Sequence, residues 1–300
     1  RGCGRNYNSM TRLIKVGEKI LTPCRIFCIG KNYEEHIREL RDSDTRSKPK
    51  EKAQPVVFMK PVTSIVPIGE LIPIPVHGRV LHHEVEVVVL LNGGGQNISL
   101  DDAISCIAGV TLGLDLTLRD IQKEMKKKGY PWELSKSFDQ SSPLGSMRIY
   151  DNSFDLSNLP FTCFVNGKKC QEGNTKDMIF TIPRVISFLS TVWKLIPGDL
   201  VYTGTPSGVG ILREGDGSRA LQCFQGREVG PALPHGLLIS EGLLLVASGT
   251  LANSDIAVFR YLHFCLDSGC IHEVDRHEEP TRDEGQPGDG LPGSPRSRSA

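Results

Sequence analysis

Two glutamates one residue apart, Glu84 and Glu86, stand in the otherwise apolar run Leu81-His82-His83-Glu84-Val85-Glu86-Val87-Val88-Val89. On a strand, side chains alternate between faces, so these two carboxylates point the same way. Side by side in apolar surroundings they repel each other unless a cation lies between them. Carboxylate oxygens are hard ligands and favour Mg²⁺, Mn²⁺ or Ca²⁺ over zinc. The same spacing also suits an amphipathic strand with both acids in water. The zinc-protease pattern H-E-x-x-H is absent, because position 87 is Val. A third acid, Asp115, is enclosed by Gly113-Leu114-Asp115-Leu116-Thr117-Leu118-Arg119. Burying it among so many apolar residues needs a partner or a metal.

Other residues could act on a substrate beside such a centre. His36 and Glu39 are three apart on an expected helix and so share a face. The carboxylate can orient the imidazole and raise its basicity, as a general base acting on water requires, although such pairs are common on exposed helices. Arg119 and Gln122 are also three apart, where a strand hands over to a helix, and could grip a carboxylate. Lys136 is a cation near the segment that carries Asp115. The loop Thr203-Gly204-Thr205-Pro206-Ser207-Gly208-Val209-Gly210 lacks the Gly-Lys-Ser/Thr ending of a phosphate-binding loop. Its backbone N–H groups and Thr205 could hold an anionic group, or it could be a plain turn.

These residues need a mixed scaffold to position them. Strands are expected at 25–30, 56–60, 65–75, 84–91, 111–117, 161–165 and 200–203, with the prolines of the second and third confining them to sheet edges. Asn92-Gly93-Gly94-Gly95 reads as a hairpin turn, and so does Asn166-Gly167. Helices are expected at 32–41, at 101–107 behind a Ser99 or Asp101 cap, at 120–128 closed by Gly129, and at 182–192 begun by Pro183. The polar run 42–54 reads as a surface loop or lid.

Composition narrows the classes. Lys+Arg and Asp+Glu number 35 each, so nothing draws the chain toward nucleic acid or an anionic membrane. No apolar run approaches the roughly 20 residues needed to span a bilayer. The nine cysteines are scattered without a C-x-x-C pair, which argues against a disulfide framework and for a reducing compartment. Arg1, Arg5, Arg12 and Lys15 precede the first acid, Glu18, the composition of the end of a mitochondrial presequence. Residues 1–19 are therefore expected to be a leader or frayed terminus, and the location mitochondrial or cytoplasmic.

In order along the chain, several segments together resemble the fumarylacetoacetate hydrolase family. They are Ile29-Gly30-Lys31-Asn32-Tyr33 with His36 and Glu39, Phe58-Met59-Lys60-Pro61, His82-His83-Glu84-Val85-Glu86, Leu114-Asp115-Leu116-Thr117 with Arg119-Asp120 and Gln122, Lys136-Ser137-Phe138, Asn166-Gly167, and Thr203-Gly204-Thr205-Pro206. The run Lys126-Lys127-Lys128-Gly129-Tyr130-Pro131-Trp132 is similar to the family's mitochondrial acylpyruvase and oxaloacetate decarboxylase branch. The resemblance implies an α+β fold, the family's mixed β-roll with a few short helices, over residues 20–216. It also implies Mg²⁺, replaceable by Mn²⁺, on Glu84, Glu86 and Asp115. Substrate would be positioned by Arg119, Gln122 and Thr205, with Lys136 beside the metal and His36–Glu39 as the catalytic dyad. The implied reaction is cleavage of a carbon–carbon bond in a small 2-oxo or 1,3-diketo acid by a homodimer, as acylpyruvate hydrolysis or oxaloacetate decarboxylation. Another family hydrolase or isomerase, acting on a ring-cleavage product, would share the metal site.

After Arg213-Glu214-Gly215-Asp216 the pattern departs from the family. Residues 217–300 are expected to be a non-family tail, disordered or poorly structured, with Pro280, Pro287, Pro292 and Pro295 in a polar, Gly-rich stretch. Loss of a closing strand would weaken the core, so a catalytically impaired metal-binding or dimer-partner protein is the alternative from another class.

Overall fold

The computed structural model describes residues 13–40, 54–67, 71–213, 217–222 and 242–247. Its centre is an eight-stranded mixed sheet. Along its main path, strands run Val56–Lys60, Ile26–Gly30, Leu200–Tyr202, Val85–Leu91, Ile107–Leu114, Ser142–Leu144, Ile65–Pro67, and Arg148–Ile149 also pairs with Ile107–Leu114. Two neighbours are parallel, Leu200–Tyr202 with Ile26–Gly30 and Ser142–Leu144 with Ile65–Pro67. A five-stranded sheet runs Lys168–Asn174, Pro160–Val165, Gly217–Gln222, Gly242–Ala247, Leu71–Pro73. Proline-bearing Ile65–Pro67 and Leu71–Pro73 both lie at edges, where a missing N–H leaves no ladder bond unmade.

Val85–Leu91 is buried along its whole length, and its two faces meet different cores. Val85, Val87, Val89 and Leu91 join the larger apolar cluster, with Phe27, Leu112, Phe161 and Ile186. Val88 and Leu90 face the smaller one, with Ile26, Cys28 and Tyr202. Glu86 falls on the Val88–Leu90 side by alternation, at the end of the strand where that core stops. The helix Ile182–Val192, with Pro183 in its first turn, buries Ile182, Val185, Ile186 and Leu189 against the larger cluster.

The central sheet is fastened at its base by an ion pair. Asp199, fully buried, accepts from Arg25 Nε at 2.9 Å and a terminal Arg25 nitrogen at 2.6 Å, and from the Ile196 N–H at 2.9 Å. Arg25→Ala would leave that carboxylate buried without its counter-ion. The expected loss is about 3 kcal/mol of unfolding free energy, read by urea denaturation.

Several expected elements change on inspection. The Asn92–Gly95 segment is not a tight hairpin: it leads into the helix Leu100–Ala103, capped by Ser99, and a 3₁₀ turn Ile104–Cys106 before the antiparallel partner begins. Its glycine at 94 answers to packing, since a Cβ there would come within 2.1 Å of the Leu195 carbonyl. Asp115 is not in mid-strand. Ile107–Leu114 ends before it, because the Asp115 N–H turns to the Glu84 carbonyl at 2.8 Å and Leu116 N–H to that of Ser141. Ile65–Pro75 divides into Ile65–Pro67 and Leu71–Pro73.

The expected leader overlaps the fold, for Ile14–Val16 and Lys19–Leu21 form a hairpin with Ile14 and Val16 buried. At the other end, Gly217–Gln222 pairs with Pro160–Val165, so the boundary expected at 216 falls inside the five-stranded sheet. Residues 1–12, the expected lid across most of 42–54, and the rest of the expected tail lie outside the described residues. Among the described residues no helix is long and apolar enough to cross a membrane.

Candidate active site

A cavity of about 560 Å³ opens beside the start of Val85–Leu91, and Glu84, Glu86, Asp115, Arg119, Gln122, Lys136, His36 and Thr205 all line it. The strand register builds its acidic floor. Val85 pairs with Leu114 and Glu86 with Gly113, while Asp115 N–H bonds the Glu84 carbonyl. Three carboxylates separated in sequence thus offer oxygens within 4.8 Å of one another, and all three residues are buried. Gly113, opposite Glu86, has no room for a side chain, since a Cβ would meet the Tyr202 ring at 2.8 Å.

Cations surround this floor. Lys136 Nζ donates to Glu84 Oε2 at 2.8 Å and Asp115 Oδ2 at 2.5 Å. Arg119 bonds the other Glu84 oxygen and also donates to Gln122 Oε1 at 2.6 Å. Lys60, fully buried at the end of its edge strand, donates to the carbonyls of Leu116 and Ser141 and lies 2.8 Å from Asp115 Oδ1. That approach is outside hydrogen-bonding geometry, so Asp115 Oδ1 is left without a hydrogen bond.

The three acids are not equivalent. Burial alone would raise the Glu84 carboxyl, but Lys136 and Arg119 outweigh it and hold it well below the usual range. Glu86 goes the other way: burial and the neighbouring Asp115 charge push it far up, against a Gly204 N–H donated at 2.8 Å. Burial pulls on Lys136 too, yet Asp115 and Glu84 prevail and its ammonium is strengthened. Burial wins at Lys60, whose value falls.

A divalent cation suits this donor set. Its ligands would be hard carboxylate oxygens, one of them without a hydrogen bond, and Glu86 has no cationic hydrogen-bond or ion-pair partner among the described residues. Glu84, Glu86 and Asp115 would hold the ion.

At the cavity rim the short helix Glu34–Glu39 carries the His–Glu pair. His36 Nδ1 is 3.2 Å from Glu39 Oε2, and Glu39 Oε1 accepts the Gly208 N–H at 3.0 Å. Burial depresses the His36 imidazole below its ordinary value of 6.5, against the pull of Glu84 and Glu39. A neutral ring with Nδ1–H on Glu39 leaves Nε2 with a lone pair. The helix is seated by Asn32, which donates to the Phe180 and Thr203 carbonyls and accepts the Phe180 N–H.

Of the nine residues selected from the sequence, eight line this cavity, and Glu39 reaches it through His36. Lys60 and Asn32 fall in the family-like segments but were given no role, and the loop N–H groups expected to hold a substrate anion include the Gly204 N–H, which holds Glu86 instead. A lysine closing the apolar strand Val-Val-Phe-Met-Lys was the available clue to Lys60. The glycine-rich loop holds Glu86 through Gly204 N–H, in addition to presenting Thr205.

The family model described as fumarylacetoacetate (FAA) hydrolase C-terminal matches residues 25–236. The chain belongs to this family. The oxaloacetate tautomerase of Mus musculus mitochondria is 43% identical over 191 residues, 64% of this chain and 83% of that protein. The oxaloacetate tautomerase of Escherichia coli K12 is 40% identical over 193 residues, 64% of this chain and 85% of its own. Among solved structures, fumarylpyruvate hydrolase from Pseudomonas aeruginosa, in complex with Mn²⁺ and pyruvate, superposes with a TM-score of 0.68. It is 29% identical and the match covers 80% of this chain and 97% of that one. The fold is thus the family's mixed β-roll, of the α+β class.

Proposed function

We propose that this member of the fumarylacetoacetate hydrolase family makes and protonates enolates of small 2-oxo acids, with oxaloacetate keto–enol interconversion as its reaction and Mg²⁺ or Mn²⁺ as its ion. The observation that carries the reading is the trio Glu84, Glu86 and Asp115 faced by Lys60, Lys136 and Arg119. Three acids against three cations are near balance, and a bound divalent ion would make the site positive, suited to a small dianion. The names of the two tautomerases support the choice of oxaloacetate, and the mouse protein's name supports a mitochondrial location.

The ion would act as a Lewis acid, stabilising negative charge on substrate oxygens. Arg119, held by Gln122, would present its guanidinium to a carboxylate. Lys136 would place a permanent positive charge beside the oxygen that gains charge as the C3 proton leaves. That proton, acidified by the adjacent keto group, would pass to water in the open cavity or to His36 Nε2, and return to carbon by the reverse route. Loss of CO₂ from oxaloacetate would give the same kind of enolate.

A second reading, acylpyruvate hydrolysis, is favoured by one feature, the His36–Glu39 pair. Its neutral imidazole could take a proton from a water that attacks the distal carbonyl, with pyruvate leaving as its enolate. A homodimer is part of the proposal and is checked by sedimentation.

The test is the full chain assayed with oxaloacetate, following enol absorbance and pyruvate release, and with acetylpyruvate, each with Mg²⁺ and with EDTA and against a protein-free blank. Oxaloacetate tautomerisation lost in EDTA and restored by Mg²⁺ is the expected result. Turnover unchanged by EDTA overturns the metal, and a folded protein inactive on both acids favours an impaired family member.

A further inference from the structure

Gln171 belongs to none of the motifs read from the sequence, yet its amide touches both halves of the site. It lies on the strand Lys168–Asn174, fully buried, and all its bonding capacity toward the site is used. Its Oε1 accepts the Val85 N–H at 3.0 Å and a bond from His83 Nδ1 at 2.8 Å. Its Nε2 donates to the Pro206 carbonyl at 3.0 Å and to Thr205 Oγ at 2.8 Å.

The direction of each bond follows from what the partners can do. A backbone N–H only donates, so the amide atom facing Val85 is the oxygen. A carbonyl only accepts, so the atom facing Pro206 is the nitrogen. These two backbone groups fix the amide with no freedom to flip. His83 is then obliged to carry its proton on Nδ1, in keeping with a burial that depresses its imidazole. Thr205 Oγ is obliged to accept, because Nε2 has only protons to offer.

A hydroxyl that accepts at its oxygen still has a proton to give. Thr205 is buried and lines the cavity, and among the described residues its hydroxyl donates to no protein group. We infer that Gln171 is a positioning residue that sets the polarity of Thr205, so that the threonine acts as a hydrogen-bond donor to an anionic oxygen of the substrate. Val85 lies between the two glutamates of the acid trio, so the same amide also sets the distance between that donor and the acidic floor. This deepens the reading proposed above and rests on it for the nature of the anion.

The polarity can be reversed. Gln171→Glu keeps the size and still accepts from Val85 and His83, but it gives up the bond to the Pro206 carbonyl and offers Thr205 an acceptor. The threonine would then donate to the new carboxylate and not to the ligand. Thr205→Val removes the donor outright and disturbs no backbone bond, while Thr205→Ser retains it.

The experiment measures pyruvate binding to the full chain by calorimetry in Mn²⁺, and KM and kcat for oxaloacetate. Thr205→Val and Gln171→Glu should each weaken pyruvate binding by about tenfold to a hundredfold, the range for a hydrogen bond to a charged group. The KM for oxaloacetate should rise accordingly with kcat less affected. Thr205→Ser should recover most of the binding that Thr205→Val loses, and the double variant should be no weaker than the weaker single one, because both remove the same bond from Thr205 to the ligand. Unchanged pyruvate affinity in Thr205→Val overturns the inference, even if the Gln171 variant does not fold. So do effects of the two substitutions that multiply in the double variant. If the wild type binds pyruvate with this dependence but does not act on oxaloacetate, the inference stands and the functional reading falls.

Discussion

Asp115→Asn is expected to abolish metal-dependent turnover, by about a thousandfold or more, while the protein stays folded. The magnitude follows from a Lewis acid worth several kcal/mol to the developing charge, with about 1.4 kcal/mol for each factor of ten. Asparagine keeps the shape and one oxygen but withdraws the charge that holds a divalent ion. Asp115 matters more than a surface acid would because it is shared, with Lys136 Nζ at 2.5 Å from one oxygen and Lys60 Nζ at 2.8 Å from the other. Both asparagine and alanine take the counter-charge from two buried ammonium groups, a loss of up to about 3–5 kcal/mol, but asparagine still offers them an acceptor oxygen where alanine leaves a hole. The measurement is oxaloacetate tautomerisation across a Mg²⁺ titration, with thermal melting alongside. Undiminished activity in the asparagine variant would remove Asp115 from the proposed metal site.

His36→Ala separates the two reactions left open by the site. Acylpyruvate hydrolysis should fall by about 10²–10⁴-fold, the usual contribution of a positioned base. Oxaloacetate tautomerisation should fall much less, because water in the open cavity can accept the C3 proton. The pH profile gives a second reading. The neutral imidazole is the active form, and burial lowers its pKa. Neutral base therefore persists as the pH falls, and the acid limb of hydrolysis should lie below pH 6.5, the ring's ordinary value. Equal losses in both reactions, or an acid limb above that value, would argue against His36 as the base for water.

What could be read ahead of the structure depended on how local each constraint was. Glu84 and Glu86 were legible because a period of two needs no knowledge of the partner strands. His36 with Glu39, and Arg119 with Gln122, were legible for the same reason on a helix, and each pair is bonded. The ordered motifs carried the family and its fold. Lys60 was hidden, since its importance arises only where the end of an edge strand meets Asp115, fifty-five residues on in sequence. Gln171 was hidden more deeply, as an amide whose partners come from two other segments distant in sequence. Gly94 was misjudged because its requirement for glycine comes from the Leu195 carbonyl, not from its own turn. The break expected at 216 followed an unfamiliar sequence, but backbone pairing tolerates many side chains, and Gly217–Gln222 lies in register with Pro160–Val165.

The position of Leu200–Tyr202 bears on how the molecule comes into being. This short strand is inserted in the middle of the central sheet, with Leu200 opposite Ile26 on one side and Leu90 on the other. Both neighbours leave the ribosome long before it does. Until it arrives, Ile26–Gly30 and Val85–Leu91 each present an unpaired inner edge, open to association with other chains. Pairings so distant in sequence put the chain among slow folders, on the millisecond-to-second scale, since loop closure precedes any gain from the new contacts. Thr203 to Thr205 follow directly on this strand, so the N–H that holds Glu86 and the hydroxyl at the cavity wall are delivered by the same late event. A nascent chain carries its acidic residues early and becomes able to use them only when that gap is closed.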